Sequence, residues 1–410
     1  MNKITIKTLS DACSPGGSSC LSSVTELKPA GGPQASVAPA KFVGSNNSGV
    51  YAYEKRFIDG KQRQCVLIDS KQSQLNRAEA ALLSAINDNH RLLVTLPRIE
   101  VIYERDGAVE KYCDLELPHR AFDGHIRAGK FDGEPVTKNS IYRELRNASQ
   151  SNARALFDIS PATIIFGGWD ASRASRQGRW RSIVVGEVIG VCANSADNSD
   201  DRYKEAKKGG ARIDPVGMQV NLSPSVIKTM ADEQRDELTK KKYDEIVKDA
   251  KAKSGTLISA SRFGVGGIPP TLEALAGVAC ERIFRSHVLS FAALRQIRFS
   301  AGLEGDIACR ALLAAIALNA LARSDAELSL RANCDLIESS PTVVTLDRRS
   351  GTTEEFNSLS IAEADQLLEE ALELAKAKAN VMWNGVELSV TGNPDIVAGA
   401  VEDQDEEQKG

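Results

Sequence analysis

Short apolar runs alternate along this chain with longer stretches in which apolar residues recur every three or four positions, a pattern typical of strands that alternate with helices. The runs predict strands at residues 64–68, 92–94 with 99–103, 162–166, 182–189, 289–294, 328–330 and 386–390. The periodic stretches predict helices at residues 73–86, 140–145, 235–252, 307–321 and 361–377. We therefore expect a mixed fold of helices and strands.

The junction between the first strand and the first helix is unusually polar and reads DSKQSQLNRAE, starting at Asp69. An apolar stripe on the helix leaves Ser73, Asn76 and Arg77 on a different face. Free backbone N–H groups and the positive end of the helix dipole favour phosphate at a helix N-terminus. Asp69 is either a cap for the turn or a catalytic acid, and the cap is the preferred interpretation.

Three stretches lack the composition of a core. Residues 1–48 are predicted to be a flexible or irregular segment, because Ser, Gly, Pro and Ala dominate from residue 14. Residues from about 194 to 267 have many charges and few aliphatic side chains, which predicts a long insertion into a main domain of residues 49–395. The acidic residues 396–410 are predicted to be a disordered tail. The insertion begins with a basic group: Lys204, Lys207, Lys208 and Arg212.

Charge and cysteine content restrict the classes of function. The chain has 51 Lys and Arg against 55 Asp and Glu, a formal net charge of −4, so nucleic-acid binding must come from local clusters. None of the eight cysteines forms a CxxC pair of the kind that zinc sites and redox motifs use. No signal-peptide core or membrane-spanning run is recognisable, so we expect a cytoplasmic protein without a membrane partner.

A loop between two predicted strands has the strongest basic cluster. Residues 171–182 contain four arginines and no acid: Arg173, Arg176, Arg179 and Arg181. Like charges on one loop favour an anionic partner, and a phosphate backbone is the natural one. Trp169 and Trp180 flank the arginines and either stack on bases or anchor the loop. A solvated hairpin tip is the alternative, and this loop alone does not decide between the two.

Residues 119–127 form a second polar group, which includes Arg120 and a possible His119, Asp123 and His125 cluster. No further carboxylate or cysteine stands there at metal-ligand spacing, so surface histidines are the preferred interpretation. The chain has no GxSxG elbow, and the glycines at 264–267 precede two prolines where a phosphate-binding loop needs Lys and Ser or Thr. We predict no catalytic site, no cofactor and no metal.

Five stretches, in order between about residues 65 and 337, carry a family resemblance. They are CVLIDSKQSQLNRAE, LFDISPATIIFGGWDASRASRQGRWRSIVVGEVIG, GARIDP, GGIPPTLEAL with HVLSFAALRQIRF, and LRANCDLI. The chain resembles the backbone subunit of the type I CRISPR Cascade surveillance complex, in the subtype I-G (formerly I-U) branch of the RAMP superfamily. The resemblance implies an α+β fold, namely an RRM-like (ferredoxin-like) RAMP palm with large insertions. One insertion would be a thumb, and residues 194–267 are the candidate.

The resemblance also implies a function. Several copies of a non-catalytic protein would polymerise head to tail along a CRISPR RNA (crRNA), hold its backbone irrespective of sequence and present it to target DNA. The expected partners are crRNA, target DNA, further copies of the chain, the large subunit of the complex and its repeat-processing or capping subunit. Such binding needs phosphate and 2′-hydroxyl contacts, which Arg, Lys, Ser and Asn provide.

Two segments match the family's RNA-contacting regions. The start of the first helix supplies Ser70, Gln72, Ser73, Gln74, Asn76 and Arg77. The arginine loop matches the family's FGxWDS…R region, with Ala171 where that pattern often has serine. The basic residues that complete the expected RNA-binding set are Arg120, Arg173, Arg176, Arg179, Arg181, Lys204, Lys207, Lys208 and Arg212.

Two enzymatic alternatives stay open at this point. A metal-dependent RNA endonuclease of the RAMP superfamily would use an acidic residue near the RNA, with Asp69 and Asp123 as candidates. A processing endonuclease would use His119 or His125 as its acid or base. A binding protein leaves guide-complementary RNA intact in magnesium, whereas either enzyme cleaves RNA.

Overall fold

The computed structural model describes residues 2–43, 49–105, 107–171, 173, 178–193, 220–252, 255–265 and 277–399. The chain divides into two compact units, and the second consists of the described residues between 199 and 276. The strands, in chain order, are β1 (Cys20–Pro29), β2 (Lys41–Val43), β3 (Gly49–Tyr51), β4 (Tyr53–Ile58), β5 (Lys61–Asp69), β6 (Arg98–Arg105), β7 (Ala108–Cys113), β8 (Lys130–Phe131), β9 (Glu134–Pro135), β10 (Gly168–Trp169), β11 (Arg179–Trp180), β12 (Val184–Cys192), β13 (Asn221–Leu222), β14 (Ile258–Ser259), β15 (Cys280–Ser290), β16 (Leu336–Glu338), β17 (Val343–Asp347), β18 (Thr353–Phe356) and β19 (Val386–Thr391).

The helices are α1 (Ile6–Cys13), α2 (Lys71–Asn87), α3 (Gly124–Arg127), α4 (Ser140–Asn147), α5 (Arg154–Ile159), α6 (Pro161–Phe166), α7 (Pro224–Glu233), α8 (Lys240–Ala252), α9 (Phe291–Leu294), α10 (Gly302–Glu327), α11 (Ile361–Ala379) and α12 (Pro394–Gly399). Short 3₁₀ helices occur at Leu93–Thr95, Arg120–Phe122, Val136–Lys138 and Ala260–Phe263.

The main sheet of the first unit has the strand order β18-β17-β1-β15-β12-β5-β4, with β16 also paired to β1, and every pair in it is antiparallel. Its four central strands are β17, β1, β15 and β12, which are the fourth, first, third and second of a βαββαβ unit. Helix α2 lies between the first and second of these strands in the chain, and α10 lies between the third and fourth. This is the ferredoxin-like topology, and the α+β prediction is confirmed.

The helical layer covers one face of this sheet. Helix α10 packs against α1, α2 and α11, and its middle from Ala311 to Ala317 is buried along every side. Of the described helices, α10 alone is long and apolar enough to cross a membrane, but 89% of its most apolar stretch is buried inside the protein. It is the central core helix of the first unit. A second sheet of the same unit has the order β7-β6-β19-β8-β9.

The second unit has a core of its own. Helices α7 and α8 and the short β13–β14 ladder enclose five buried residues: Ile227, Ala231, Ile246, Ala250 and Ala260. The division falls near the predicted insertion of residues 194–267, and the thumb role of that insertion stays a prediction. The basic residues Lys204, Lys207, Lys208 and Arg212 lie outside the described residues.

The N-terminal segment is the largest correction to the predicted organisation. Residues 20–29 form β1, a central strand, and residues 6–13 form α1, so a flexible or irregular segment over residues 1–48 is wrong for these two elements. Strand β1 buries Leu21, Thr25 and Leu27 on alternate positions. The serine- and glycine-rich composition concealed this period-two pattern. Of the predicted acidic tail, residues 396–399 belong to α12, and the rest lies outside the described residues.

Four predicted strands are wrong in whole or in part. Residues 162–166 belong to helix α6, residues 92–94 are largely a 3₁₀ helix, residues 328–330 are not a strand, and residues 289–294 leave β15 for helix α9. A short run of buried apolar residues looks the same in a strand and in a buried helix. At α6 the deciding residue is Pro161, whose fixed φ suits the first turn of a helix.

Candidate nucleic-acid interface

The strand–helix junction, defined here as residues 69–77, depends on two neighbouring residues, Asp69 and Ser70, which have different structural roles. Ser70 is the N-cap of α2, and its side chain accepts a hydrogen bond from the backbone N–H of Ser73 at 3.2 Å. Asp69 is the last residue of β5 and is fully buried. The interpretation of Asp69 as the cap is therefore wrong, because Ser70 caps the helix and Asp69 accepts bonds from side chains.

Four side chains converge on the Asp69 carboxylate. Ser73 donates its hydroxyl to Oδ1 at 3.0 Å, and Gln74 donates its amide to Oδ2 at 2.6 Å. Arg77 donates Nε to Oδ2 at 3.1 Å, and Arg331 forms an ion pair with Oδ1. A buried carboxylate is stable only with such partners. The polar side chains of the junction therefore satisfy an internal charge.

The two arginines join this junction to the chain that follows α10. The remaining nitrogens of Arg77 donate to the carbonyls of Ser329 and, at 2.8 Å, Leu330. Arg331 donates to the carbonyl of Ile68 at 2.7 Å. Arg77 and Gln74 were predicted to contact RNA, and this assignment is corrected: Gln74 is buried, and the Arg77 guanidinium is held by protein acceptors on three of its nitrogens. Sequence inspection missed Arg331 because it lies more than 250 residues from Asp69.

A narrower part of α2 stays available to a ligand. Lys71, Gln72 and Asn76 are exposed, and Gln72 and Asn76 stand four residues apart on one face of the helix. Ser70 and Ser73 are half-buried at the N-terminal end. Contact of Ser70, Gln72, Ser73 and Asn76 with RNA stays a prediction.

Arg120 lies inside the protein. Its guanidinium forms a two-point ion pair with Glu79 of α2, with Nη2 donating to Oε2 at 2.6 Å, and Nη1 donates to the carbonyl of Gly167 at 2.9 Å. The guanidinium carbon also lies 5.8 Å from the centre of the Phe166 ring. The side chains of both partners in the ion pair are at least nine-tenths buried. The prediction that Arg120 binds RNA is therefore wrong, since its donors are used within the core.

The Arg120 contact fixes the start of a hairpin. Gly167 precedes β10 and has φ +91, where a side chain would be strained and where an added Cβ would lie 2.9 Å from the Trp180 carbonyl oxygen. Strands β10 and β11 then pair Gly168 with Trp180 and Trp169 with Arg179. We call residues 168–181 the arginine hairpin. Arg176 lies outside the described residues.

The arginine hairpin directs its tryptophans to opposite environments. Trp180 is buried and anchors the hairpin, whereas 43% of Trp169 is exposed. The Arg179 guanidinium stacks over the Trp169 ring with its carbon 4.5 Å from the ring centre, and Arg179 itself is exposed. Arg181 is exposed beside it. The anchoring role considered from sequence is thus present at Trp180, and stacking of the outward Trp169 ring on a base stays a prediction.

Asp170, the acidic residue at the start of the arginine hairpin, does not pair with Arg179 or Arg181. Asp170 is buried and is held by Arg146 of α4, with Nε donating to Oδ2 at 2.8 Å and Nη2 donating to Oδ1 at 2.9 Å. Arg173 donates to the carbonyl of Arg146 at 2.6 Å and to Asn147 Oδ1 at 2.7 Å. Within the described part of the chain, neither Arg179 nor Arg181 forms an ion pair with a carboxylate. Sequence inspection missed the partner Arg146 because nothing in its surroundings marks it.

Three of the four side chains that the enzymatic alternatives need, those of Asp69, Asp123 and His125, have structural roles. Asp123 is buried and caps α3, where its carboxylate accepts from the backbone N–H groups of His125 at 2.9 Å and His119 at 3.1 Å. The ring Nδ1 of His125 hydrogen-bonds the Tyr103 hydroxyl at 2.7 Å, while His119 is exposed. Among the described residues, no group of three His, Cys, Asp or Glu side chains could hold a metal ion. Asp69 and Asp123 are therefore poorly placed to act as exposed catalytic acids.

Comparison with known proteins locates both polar regions within one family segment. No curated protein matches the chain. Residues 21–195 match the family model described as CRISPR-associated protein GSU0053. This match runs from β1 to just past β12 and so includes the junction, Arg120 and the arginine hairpin, and the fold is consistent with a RAMP palm with insertions. Over residues 21–195, somewhat less than half of its length, the chain is therefore similar to the CRISPR-associated protein GSU0053 family.

Proposed function

We propose that this protein is a non-catalytic backbone subunit of a type I Cascade complex, of subtype I-G, in the bacterial or archaeal cytoplasm. It binds the phosphate backbone of crRNA irrespective of base sequence and presents the RNA for pairing with target DNA. Successive copies assemble head to tail along the RNA, together with the large subunit and the repeat-processing or capping subunit. The family match over residues 21–195 and the ferredoxin-like palm support this proposal.

The observation that carries the proposal is the arginine hairpin. Arg179 and Arg181 are exposed, and no described carboxylate pairs with them, although the chain as a whole is acidic. Arginines that serve the fold of this protein, such as Arg120 and Arg146, are bound to buried acids. Two unneutralised guanidinium groups side by side on the surface suit phosphate oxygens, because they form charge-assisted hydrogen bonds without needing a particular base.

The chemistry around the hairpin favours RNA held along its backbone. Trp169 offers a stacking surface that accepts any base, and Gln72 and Asn76 offer amide groups suited to phosphate and 2′-hydroxyl groups. Such contacts distinguish nucleic acid from other polyanions without reading sequence. A subunit that must accept many guides needs this kind of binding.

The test measures affinity, sequence dependence and cleavage with one preparation. Fluorescence anisotropy with two labelled single-stranded RNAs of unrelated sequence, at low and at physiological salt, should give equal affinities that fall with salt. The double variant Arg179→Ala/Arg181→Ala should bind more weakly and with a smaller salt slope. An unchanged affinity in that variant, or a strong preference for one RNA, would refute the proposal.

The same RNAs distinguish a binding protein from a nuclease. After incubation with the wild-type protein and magnesium, denaturing electrophoresis should show the RNA intact. Cleavage that survives in Arg179→Ala/Arg181→Ala but is lost in His119→Ala would instead assign a processing endonuclease. RNA that purifies with the protein in one uniform length would support a crRNA ligand.

A further inference from the structure

A large cleft opens in the first unit. Its volume is about 1280 Å³, and it lies between the C-terminal part of α10, the strands β1, β15, β16 and β17, and the start of α11. Its walls include Leu318, Leu321 and Leu336, and two aliphatic side chains at its rim stay exposed: Ile337 at 47% and Ile361 at 37%. Exposed aliphatic side chains beside an apolar cleft indicate a site for another molecule.

The cleft is acidic. Asp325, Glu327 and Glu338 line it, against a single cation, Arg285. Arg285 is buried and already bound by two of these acids, with Nη2 donating to Glu338 Oε1 at 3.0 Å and Nε 3.3 Å from Asp325 Oδ1. Burial lowers the pKa of His287, which also lines the cleft, so this ring is neutral at pH 7. The net charge of the lining is −2, which disfavours an RNA and favours an apolar segment with basic neighbours.

A segment of that description stands at the β4 edge of the same sheet. Strands β4 and β5 form a hairpin whose turn, Asp59-Gly60, has positive φ at both residues, as a tight type I′ turn requires. Phe57 on this hairpin is 77% exposed. Residues 54–63 contain four cations, Lys55, Arg56, Lys61 and Arg63, and two acids, Glu54 and Asp59, for a net charge of +2.

The hairpin is ordered by ion pairs that leave Phe57 outside. Asp59 accepts from Arg282 of β15 at 2.7 Å, Arg63 pairs with Glu281, and Arg56 Nη1 donates to Glu187 of β12 at 2.6 Å. These contacts hold the hairpin against the sheet before any partner arrives. An exposed aromatic side chain on such a rigid hairpin loses little entropy on binding, which is the property of a strong interface anchor.

We infer that the β4–β5 hairpin of one copy docks into the acidic cleft of the next copy, with Phe57 among the leucines and Lys55, which shares the hairpin face of Phe57, toward the acidic rim. The inference rests on the proposed function, in which copies stand side by side along one RNA. The ion pair between Asp59 and Arg282 holds the hairpin against one face of β15, whereas Arg285, three residues further along that strand, faces the cleft on the other side. A copy therefore cannot fill its own cleft. Two different surfaces of the chain form a heterologous contact, which repeats as an open filament.

Photocrosslinking tests the contact directly. A benzoylphenylalanine at position 57 replaces the exposed ring, and an equal mixture of unlabelled and ¹⁵N-labelled chains on a long RNA identifies crosslinks between copies by mass spectrometry. Crosslinks from position 57 to residues 318–344 or 358–362 of another copy are expected. The same probe at Val109, a 59% exposed position on β7, is the matched control and should not reach these residues. Crosslinks from position 57 to any other surface would overturn the inference.

Substitutions then separate assembly from RNA binding. Phe57→Ser should raise the protein concentration needed for assembly on long RNA by about tenfold or more, with unchanged affinity for a short RNA that holds one copy. Lys55→Glu should also weaken assembly, and adding Glu327→Lys should restore part of it. Normal assembly of Phe57→Ser would overturn the inference while leaving the proposed function intact.

The two proposals fail in different ways. If the wild-type protein does not bind RNA, the proposed function fails, and the crosslink from position 57 at high protein concentration without RNA still decides the docking contact. If position 57 crosslinks only to an added Cascade subunit, that subunit is the occupant and the contact between copies is refuted.

Discussion

The strand–helix junction at residues 69–77 and the arginine hairpin at residues 168–181 both concentrate polar and basic side chains beside a strand of the main sheet. In the junction, Ser73, Gln74 and Arg77 turn inward to one buried carboxylate, Asp69. In the hairpin, Arg146 of α4 binds the carboxylate of Asp170, and Arg179 and Arg181 remain exposed. The two regions differ in which side chains bind the buried carboxylate. In the junction the segment's own side chains bind it, and in the hairpin an arginine from α4 binds it.

This comparison shows that the number of arginines in a segment does not identify an anion site. An arginine that neutralises a buried acid contributes to folding, and only an arginine left without such an acid contributes charge to a ligand. The same rule places Arg120, bound to Glu79, with the structural residues. The four predictions below test this division. Substitutions of internal residues should lower stability, and substitutions of the exposed arginines should lower RNA affinity.

The largest effect is expected at the centre of the junction. Asp69→Ala leaves Arg77 and Arg331 without their shared carboxylate and should lower the free energy of unfolding by about 3–5 kcal/mol. Urea denaturation measures this, with Gln72→Ala, an exposed neighbour, expected to stay within about 0.5 kcal/mol of wild type. A fully stable Asp69→Ala that loses RNA affinity would make the junction a ligand site.

Arg120→Ala should lower the free energy of unfolding by about 3 kcal/mol, somewhat less than Asp69→Ala does. Burial raises the pKa of Glu79 even beside Arg120, so the carboxyl left behind can take up a proton and lose its charge. Arg181→Ala is the matched control, because the same truncation at an exposed site should leave the free energy of unfolding within about 0.5 kcal/mol of wild type. Equal destabilisation by both variants would break the division between internal and external arginines.

A pH effect should follow from the carboxyl near Glu79. Burial raises the pKa of Asp114 to about 7, whereas the unfolded chain releases this proton near the ordinary value of 3.8. Between these values the folded state binds more protons, so stability falls as pH rises, by roughly 1 kcal/mol per pH unit. Urea denaturation across this pH range measures the free energy of unfolding of wild type and of Asp114→Asn. The wild type should lose more stability than Asp114→Asn as pH rises. Equal losses would mean that Asp114 titrates normally.

The smallest effect in energy is expected at the hairpin and should appear in RNA binding alone. Arg179→Ala/Arg181→Ala should weaken binding of single-stranded RNA about tenfold and reduce the salt slope by about 1–2, because two phosphate contacts are removed. Its unfolding curve should overlay that of wild type. Loss of stability without loss of affinity would reverse the comparison with the junction.

Local features that depend on neighbouring residues were predictable from sequence. The helix over 73–86 is present as α2, and the helix over 361–377 is present as α11 with a capping box between Ser360 and Glu363. Strands at 64–68 and 386–390 are present as well. In these segments period, caps and turn residues agree, and such agreement indicates structure from one sequence.

Features that depend on distant partners were not predictable. The apolar run over 162–166 fits a strand as well as it fits α6, and β1 is disguised by its small residues. The polar residues of the junction gave no sign that Arg331 would complete their carboxylate. Arg120 looked like a surface cation until Glu79 and Gly167 were found around it.

The sequence by itself determined the family segment, the alternation of helices and strands, and the concentration of arginine before β12. The tertiary structure decided which of those polar side chains face inward. A guanidinium has five donors, and its environment is set by whichever acceptors the fold brings within reach. Apart from Asp69, which lies eight residues before Arg77, the acceptors of Arg77 and Arg120 come from elements 41 to 253 residues away in the chain, a separation that no local pattern encodes.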